Sequence, residues 1–204
     1  MGERYKFRLD FFNCSDLVRI SKIPDTVKSM RYTFRGCNKL DEMPELPDSV
    51  ENLMCTRTSI RIAKKVPNNV KKMYGTFVGC KLLENVTNIP EGCDDIQEIY
   101  YGCSSLNNVN VVIPGNVKKI YNSFRDCSNL SGKIIIEADL VGNVMENGRK
   151  DFEYCFYNSA TTGPGLMLEC SEKTYKTFYD ENKKNFINEW VCDAKSNIKL
   201  KLKN

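Results

Sequence analysis

Cysteine and aromatic residues recur along this chain on a shared period, and that recurrence leaves few architectures open. Cys14, Cys37, Cys80, Cys103 and Cys127 stand 23, 43, 23 and 24 residues apart, the 43 being two periods with one unit shortened. Three residues before each lies an aromatic: Phe11, Phe34, Phe77, Tyr100 and Phe124. Three residues after each lies a leucine: Leu17, Leu40, Leu83, Leu106 and Leu130. The unit opens aromatic-x-x-Cys-x-x-Leu, and a period in this range is the mark of a solenoid. No single unit carries enough apolar groups for its own core, so units must stack and share one.

The rest of the unit repeats too. An apolar stretch closed by proline follows the leucine: Ile23-Pro24, Leu46-Pro47, Val66-Pro67, Ile89-Pro90 and Ile113-Pro114. Two apolar residues three apart then lead to the next aromatic, as in Val27 and Met30, Val50 and Leu53, Val70 and Met73, Ile96 and Ile99, Val117 and Ile120. The shortened unit, Met54 to Met73, has Cys55 but no opening motif, while Ile60, Val66, Val70 and Met73 keep the later positions. The stretch before each proline is too short for a helix and is read as a strand parallel to its neighbours. Proline, which cannot donate to a ladder, ends it. Asp25, Asp48, Asn68, Gly92 and Gly115 supply the corner.

Asn-Ser-Phe-Arg-Asp-Cys-Ser-Asn-Leu at 122–130, Tyr-Thr-Phe-Arg-Gly-Cys-Asn-Lys-Leu at 32–40 and Pro-Gly-Asn-Val-Lys-Lys-Ile at 114–120 resemble the BspA-like, or treponemal-type, leucine-rich repeats. The resemblance runs from Phe7 to Ala138. It implies a leucine-rich-repeat solenoid of short parallel strands with irregular or 3-10 connections, about six units over 7–138. It also implies a bacterial or prophage-encoded protein of an adhesive, host- or matrix-binding kind, extracellular or at the cell surface, with cytoplasm or virion as the alternative.

Beyond Ser131 the pattern changes, and residues 139–204 are read as a C-terminal α+β cap. Lys133-Ile134-Ile135-Ile136-Glu137 reads as a longer strand. Phe152 and Cys155 restore the aromatic-x-x-Cys spacing for one further unit. Gly163-Pro164-Gly165 is a turn and Leu166-Met167-Leu168 a short strand. Ser171 caps a helix that carries Tyr175, Phe178, Tyr179, Phe186, Ile187 and Trp190 at near-helical spacing. Asn197 to Lys203 alternates as a half-buried strand does, its lysines guarding against edge pairing.

The chain holds no histidine, no Cys-x-x-Cys pair, no Walker loop and no dinucleotide glycine motif. Imidazole bases, zinc knuckles, thioredoxin-like redox chemistry and nucleotide folds therefore have no sequence support, and neither enzyme activity nor a cofactor is expected. The periodic cysteines are read as small buried apolar residues and as free thiols. Asn13-Cys14-Ser15 and Asn85-Val86-Thr87 fit the glycosylation pattern but are set aside, because Cys14 is read as a core position. A net charge of +4 with interspersed signs describes a solvated surface rather than a nucleic-acid groove. No apolar run approaches membrane-spanning length. The start, Met1 to Lys6, has no signal-peptide core, which fits both a leader already removed and a chain never exported that way.

These features point to a non-enzymatic recognition module that meets a protein or glycan through its repeat surface, as a monomer unless it belongs to an assembly. Arg19, Lys22, Glu42, Glu45, Arg61, Lys64, Asn85, Asn88 and Asn108 vary from unit to unit between the apolar strand positions and are the candidate contact residues. The alternative is a structural subunit of a larger assembly, such as a phage tail or a cell-surface layer.

Overall fold

The spacing of three in the opening motif is the span of one turn. In the computed structural model, which describes residues 9–180, 186–187 and 191–203, the cysteine N–H donates to the carbonyl of the aromatic three residues back. This holds at Cys37 to Phe34 (3.0 Å), Cys80 to Phe77 (3.0 Å), Cys103 to Tyr100 (3.0 Å) and Cys127 to Phe124 (3.3 Å). The leucine N–H then donates to the cysteine carbonyl, closing a second turn at Leu40, Leu83, Leu106 and Leu130. The residue before the cysteine takes positive φ, which explains Gly36, Gly79 and Gly102 there, and Asp126 and Asn158 in later units.

Successive units stack as rungs. The aromatic rings pile up inside: Phe11 on Phe34 (6.0 Å between centroids), Phe77 on Tyr100 (5.5 Å), Tyr100 on Phe124 (5.2 Å) and Phe124 on Phe156 (5.3 Å). Between Phe34 and Phe77 the shortened unit places Cys55 at the aromatic position and Thr58 at the cysteine position. There the Cys55 N–H reaches Thr76 O, as the Phe77 N–H reaches Ile99 O. One continuous core links Ile23 to Cys192.

Parallel pairing appears on two sides of the solenoid. After the corner proline, β1 (Ser29–Arg31) pairs with β2 (Asn52–Met54), and single bridges at Lys72, Asp95 and Lys119 continue that ladder. Before the proline position, β3 (Val109–Ile113), β4 (Gly132–Ile136), β5 (Leu166–Cys170) and β8 (Ile198–Leu202) form a four-stranded parallel sheet in that order. The strand expected before every proline is therefore present only in the later rungs. At Ile23, Leu46, Val66 and Ile89 there is none, and a lone Glu42–Ile62 bridge remains. Composition supplies the reason, since β3 and β4 are runs of valine and isoleucine. The corresponding earlier stretch contains Pro44, or side chains that bond the neighbouring backbone in place of a strand.

A column of alternating charge holds the register on the first side. Lys28, Glu51, Lys71, Asp94 and Lys118 follow one another from rung to rung, each N–H donating to the preceding carbonyl at 2.8–3.3 Å. Opposite charges in adjacent strands favour this pairing and like charges disfavour a slip.

Three further expectations are corrected. The last aromatic-x-x-Cys unit is not Phe152–Cys155, for Phe156 stacks on Phe124 and Ser159 takes the cysteine place. The register shifts by four residues, leaving Phe152 against Phe178 at 5.4 Å. The helix is shorter than expected: α1 (Glu172–Phe178) begins at Ser171, whose hydroxyl accepts from the Thr174 N–H, and stops at an extended Tyr179. Two short strands follow, β6 (Tyr179–Asp180) antiparallel to β7 (Phe186–Ile187), because aromatic residues favour strand where the helix would have continued. Trp190 lies outside the described residues. Finally, Cys14 is exposed rather than buried, since no described rung precedes its own. The reason given for setting aside Asn13-Cys14-Ser15 falls with it.

Candidate functional site

What a solenoid offers a partner depends on which polar groups its own stacking has already taken. Inside, each ladder thiol donates to the carbonyl at the aromatic position one rung back: Cys37 to Phe11 (3.1 Å), Cys80 to Cys55 (3.2 Å), Cys103 to Phe77 (3.0 Å) and Cys127 to Tyr100 (3.0 Å). The Ser159 hydroxyl does the same toward Phe124. Burial holds the Cys55, Cys103 and Cys155 thiols well above their usual pKa, and Cys93 at about 11. These are inert, protonated core groups rather than nucleophiles. Among the described residues no group of three or more His, Cys, Asp or Glu side chains is arranged to hold a metal ion.

The candidate contact residues divide into four sets. Arg19 and Lys22 are exposed, Lys22 lying 3.6 Å from Asp25. Glu42, Glu45, Arg61 and Lys64 form an exposed charge network: Lys64 reaches Glu42 (3.6 Å) and Glu45 (3.3 Å), and Arg61 reaches Glu84 (2.5 Å). Solvent-exposed pairs of this kind contribute little to stability, so they remain available to a partner.

Asn85 and Asn88 do something else. The Ala63 N–H donates to Asn85 Oδ1 (2.8 Å) while Asn85 Nδ2 donates back to Ala63 O (2.9 Å). Asn88 brackets Val66 in the same way, at 2.8 and 3.0 Å. Each side-chain amide stands in for the missing neighbour strand, so both are used within the fold.

Asn108 opens onto a hollow of about 670 Å³ above the start of the four-stranded sheet. Asn107, Asn129, Ser131, Asn197 and Lys199 share it, with Gly132 and Gly163 to Met167. Asn129, Asn197 and Lys199 were missed from sequence because they lie 21 to 91 residues beyond Asn108 and meet it only through the register of β3, β4, β5 and β8. A second cluster was missed as well: the Arg125 guanidinium lies over Tyr101 (5.7 Å), Tyr154 (5.5 Å) and Tyr157 (5.2 Å). Its members occupy neighbouring rungs on the turn side, within cation–π range.

Stacked turns, an aromatic spine and parallel ladders define a repeat solenoid. The model for the BspA type leucine rich repeat region matches in six copies, over residues 8–131 and 55–185. The chain belongs to that family, a non-enzymatic repeat family. No match was found among curated proteins or among solved structures. No described helix is long and apolar enough to cross a membrane.

Proposed function

We propose that this chain is a recognition module that holds a protein or glycan partner on its outward rung positions, at a cell surface. One observation carries the reading. Along one column of the β1–β2 side the outward side chains differ from rung to rung, while most rungs repeat the same aromatic and cysteine inside. Arg31, Tyr74, Gln97 and Tyr121 stand at matching places on the β1–β2 side with their side chains exposed or part-exposed, while Met54 in the same row is buried; inside, aromatic and cysteine recur in all but the shortened and the last rungs. A fixed scaffold with a varied exterior suits binding of a specific partner. The family is a repeat-based interaction family, which agrees with this reading.

The test is binding of the purified chain to a panel of extracellular-matrix proteins and glycans. Saturable binding that weakens when Arg61→Glu and Lys64→Glu are combined supports contact through the charge network. A chain that binds nothing in the panel and sediments as a polymer favours the second reading, a subunit of a larger assembly. That alternative draws on β8, which pairs on one side only among the described residues.

A further inference from the structure

We propose that the hollow over the start of β3, β4, β5 and β8 binds an acidic saccharide, held by Asn108, Asn197 and Lys199. The proposal rests on the recognition reading and narrows it to one site and one ligand class.

The hollow is built by the residues that immediately precede the strands. Asn108, Ser131, Gly165 and Asn197 form one column in the register of the sheet. Asn108 at φ 45° and Gly165 at φ 90° turn the backbone sharply there. The column is held from beneath: the Asn108 N–H donates to Ser131 Oγ (2.9 Å), Gly132 N–H to Gly165 O (3.2 Å) and Leu166 N–H to Asn197 O (2.9 Å). A volume of about 670 Å³ falls in the range of small-ligand sites.

Its chemistry is selective. The Asn129 amide is held at both ends, donating to Ser104 O (2.9 Å) and accepting from Thr162 Oγ1 (2.5 Å), so it forms a fixed wall. The side-chain amides of Asn108 and Asn197 have no partner among the described residues. Each offers paired donors and an acceptor, the pattern that vicinal sugar hydroxyls match. Pro164 and Met167 add apolar surface for the carbon face of a ring.

Charge then narrows the class. No carboxylate lines the hollow. Lys133, in the same row of the sheet as Lys199, is paired with Glu169 at 2.7 Å, and Lys203 is paired with Glu137. Lys199 has no such partner among the described residues, and an unopposed ammonium beside neutral amides favours a sugar that carries a carboxylate. Single-stranded nucleic acid is disfavoured because no aromatic ring lines the site for bases to stack on.

The experiment follows backbone amide shifts of the isotope-labelled chain as a hyaluronan hexasaccharide, which carries glucuronate, is titrated against a neutral chitohexaose control. Shifts confined to Asn107, Asn108, Asn129, Asn197, Lys199 and their neighbours are expected, with the acidic sugar binding about tenfold more tightly. Lys199→Gln should remove that preference. Asn108→Asp, which keeps a residue tolerant of positive φ, should weaken the acidic sugar further. Thermal melts of both variants report that the fold is intact. Equal affinity for the two sugars, shifts elsewhere on the solenoid, or no effect of Lys199→Gln overturns the proposal. If the hollow stays silent while a panel protein still binds through Arg61 and Lys64, this site falls and the recognition reading stands.

Discussion

Cys103 and Ser159 hold the same place in their rungs, and each donates to the carbonyl at the preceding aromatic position. The position demands a small side chain with one donor, and the thiol satisfies it with less desolvation than a hydroxyl. Cys103→Ser should therefore cost about 1 kcal/mol or less. Cys103→Val leaves Phe77 O without its donor and adds a methyl group to a closed core, which should cost about 1–3 kcal/mol. Urea unfolding of the two variants ranks them, and equal midpoints would sink the donor argument. The same burial makes the fold alkali-sensitive. Burial raises the thiols of Cys93 and Cys170 to about 11 and of Cys192 to about 12, against 9.0 for an unperturbed thiol. Above about pH 9 the unfolded chain loses thiol protons that the folded chain keeps, so stability declines as pH rises through about 11 to 12. Unfolding midpoints should be level to about pH 8.5 and fall from about pH 9 upward. A midpoint that stays level to about pH 11 would contradict buried thiols.

At the scale of elements, the four-stranded sheet depends on close approach at its strand starts. A Cβ at Gly132, where φ is +100°, would sit 2.3 Å from Val109 O and 2.7 Å from Val109 N. Those atoms are backbone held in the β3–β4 ladder and cannot give way. Gly148 also has positive φ, but a Cβ there meets nothing within 4 Å. Gly148→Ala should cost about 1 kcal/mol from backbone conformation alone. Gly132→Ala should cost clearly more, about 3 kcal/mol or above, since strain and collision combine. Chemical denaturation of both variants checks the order. The Asn85 and Asn88 brackets make the complementary point: where a rung lacks β-branched residues, side-chain amides do the work of a strand.

For the whole molecule, the core is one body from Ile23 to Cys192, and β4, which precedes residue 138, pairs with β5, which follows it. β5 covers β4, and Phe156 covers Phe124. α1 adds a buried Thr174 whose hydroxyl donates to Ala138 O (2.7 Å) and accepts from the Leu140 N–H (2.9 Å). A chain ending at Glu137 keeps its earlier repeats but exposes the open edge of β4 and the face of Phe124. Such a fragment is expected to aggregate or fail to unfold cooperatively, as size-exclusion chromatography and circular dichroism would report. A soluble, cooperatively folding fragment would show that the later rungs are dispensable.

Period and composition alone determined that this chain stacks rungs, where the aromatic, cysteine and leucine of the regular rungs lie, and that histidine-based chemistry is out of reach. Those features are local: a spacing of three is one turn, and a period near 23 is one circuit, so they are written in consecutive residues. The sequence also carried Asn108 as a candidate contact, because it breaks the apolar pattern before β3. It did not carry which side of each rung forms the ladder, because prolines and apolar pairs occur on both sides, and only the pairing of neighbours decides which backbone groups meet. The register of the last rung was misplaced for a related reason: Phe152–Cys155 and Phe156–Ser159 fit the spacing about equally, and stacking on Phe124 selects the second. The hollow shared by Asn108, Asn129, Asn197 and Lys199 is the product of four strands in register, a long-range property that only the tertiary structure decided.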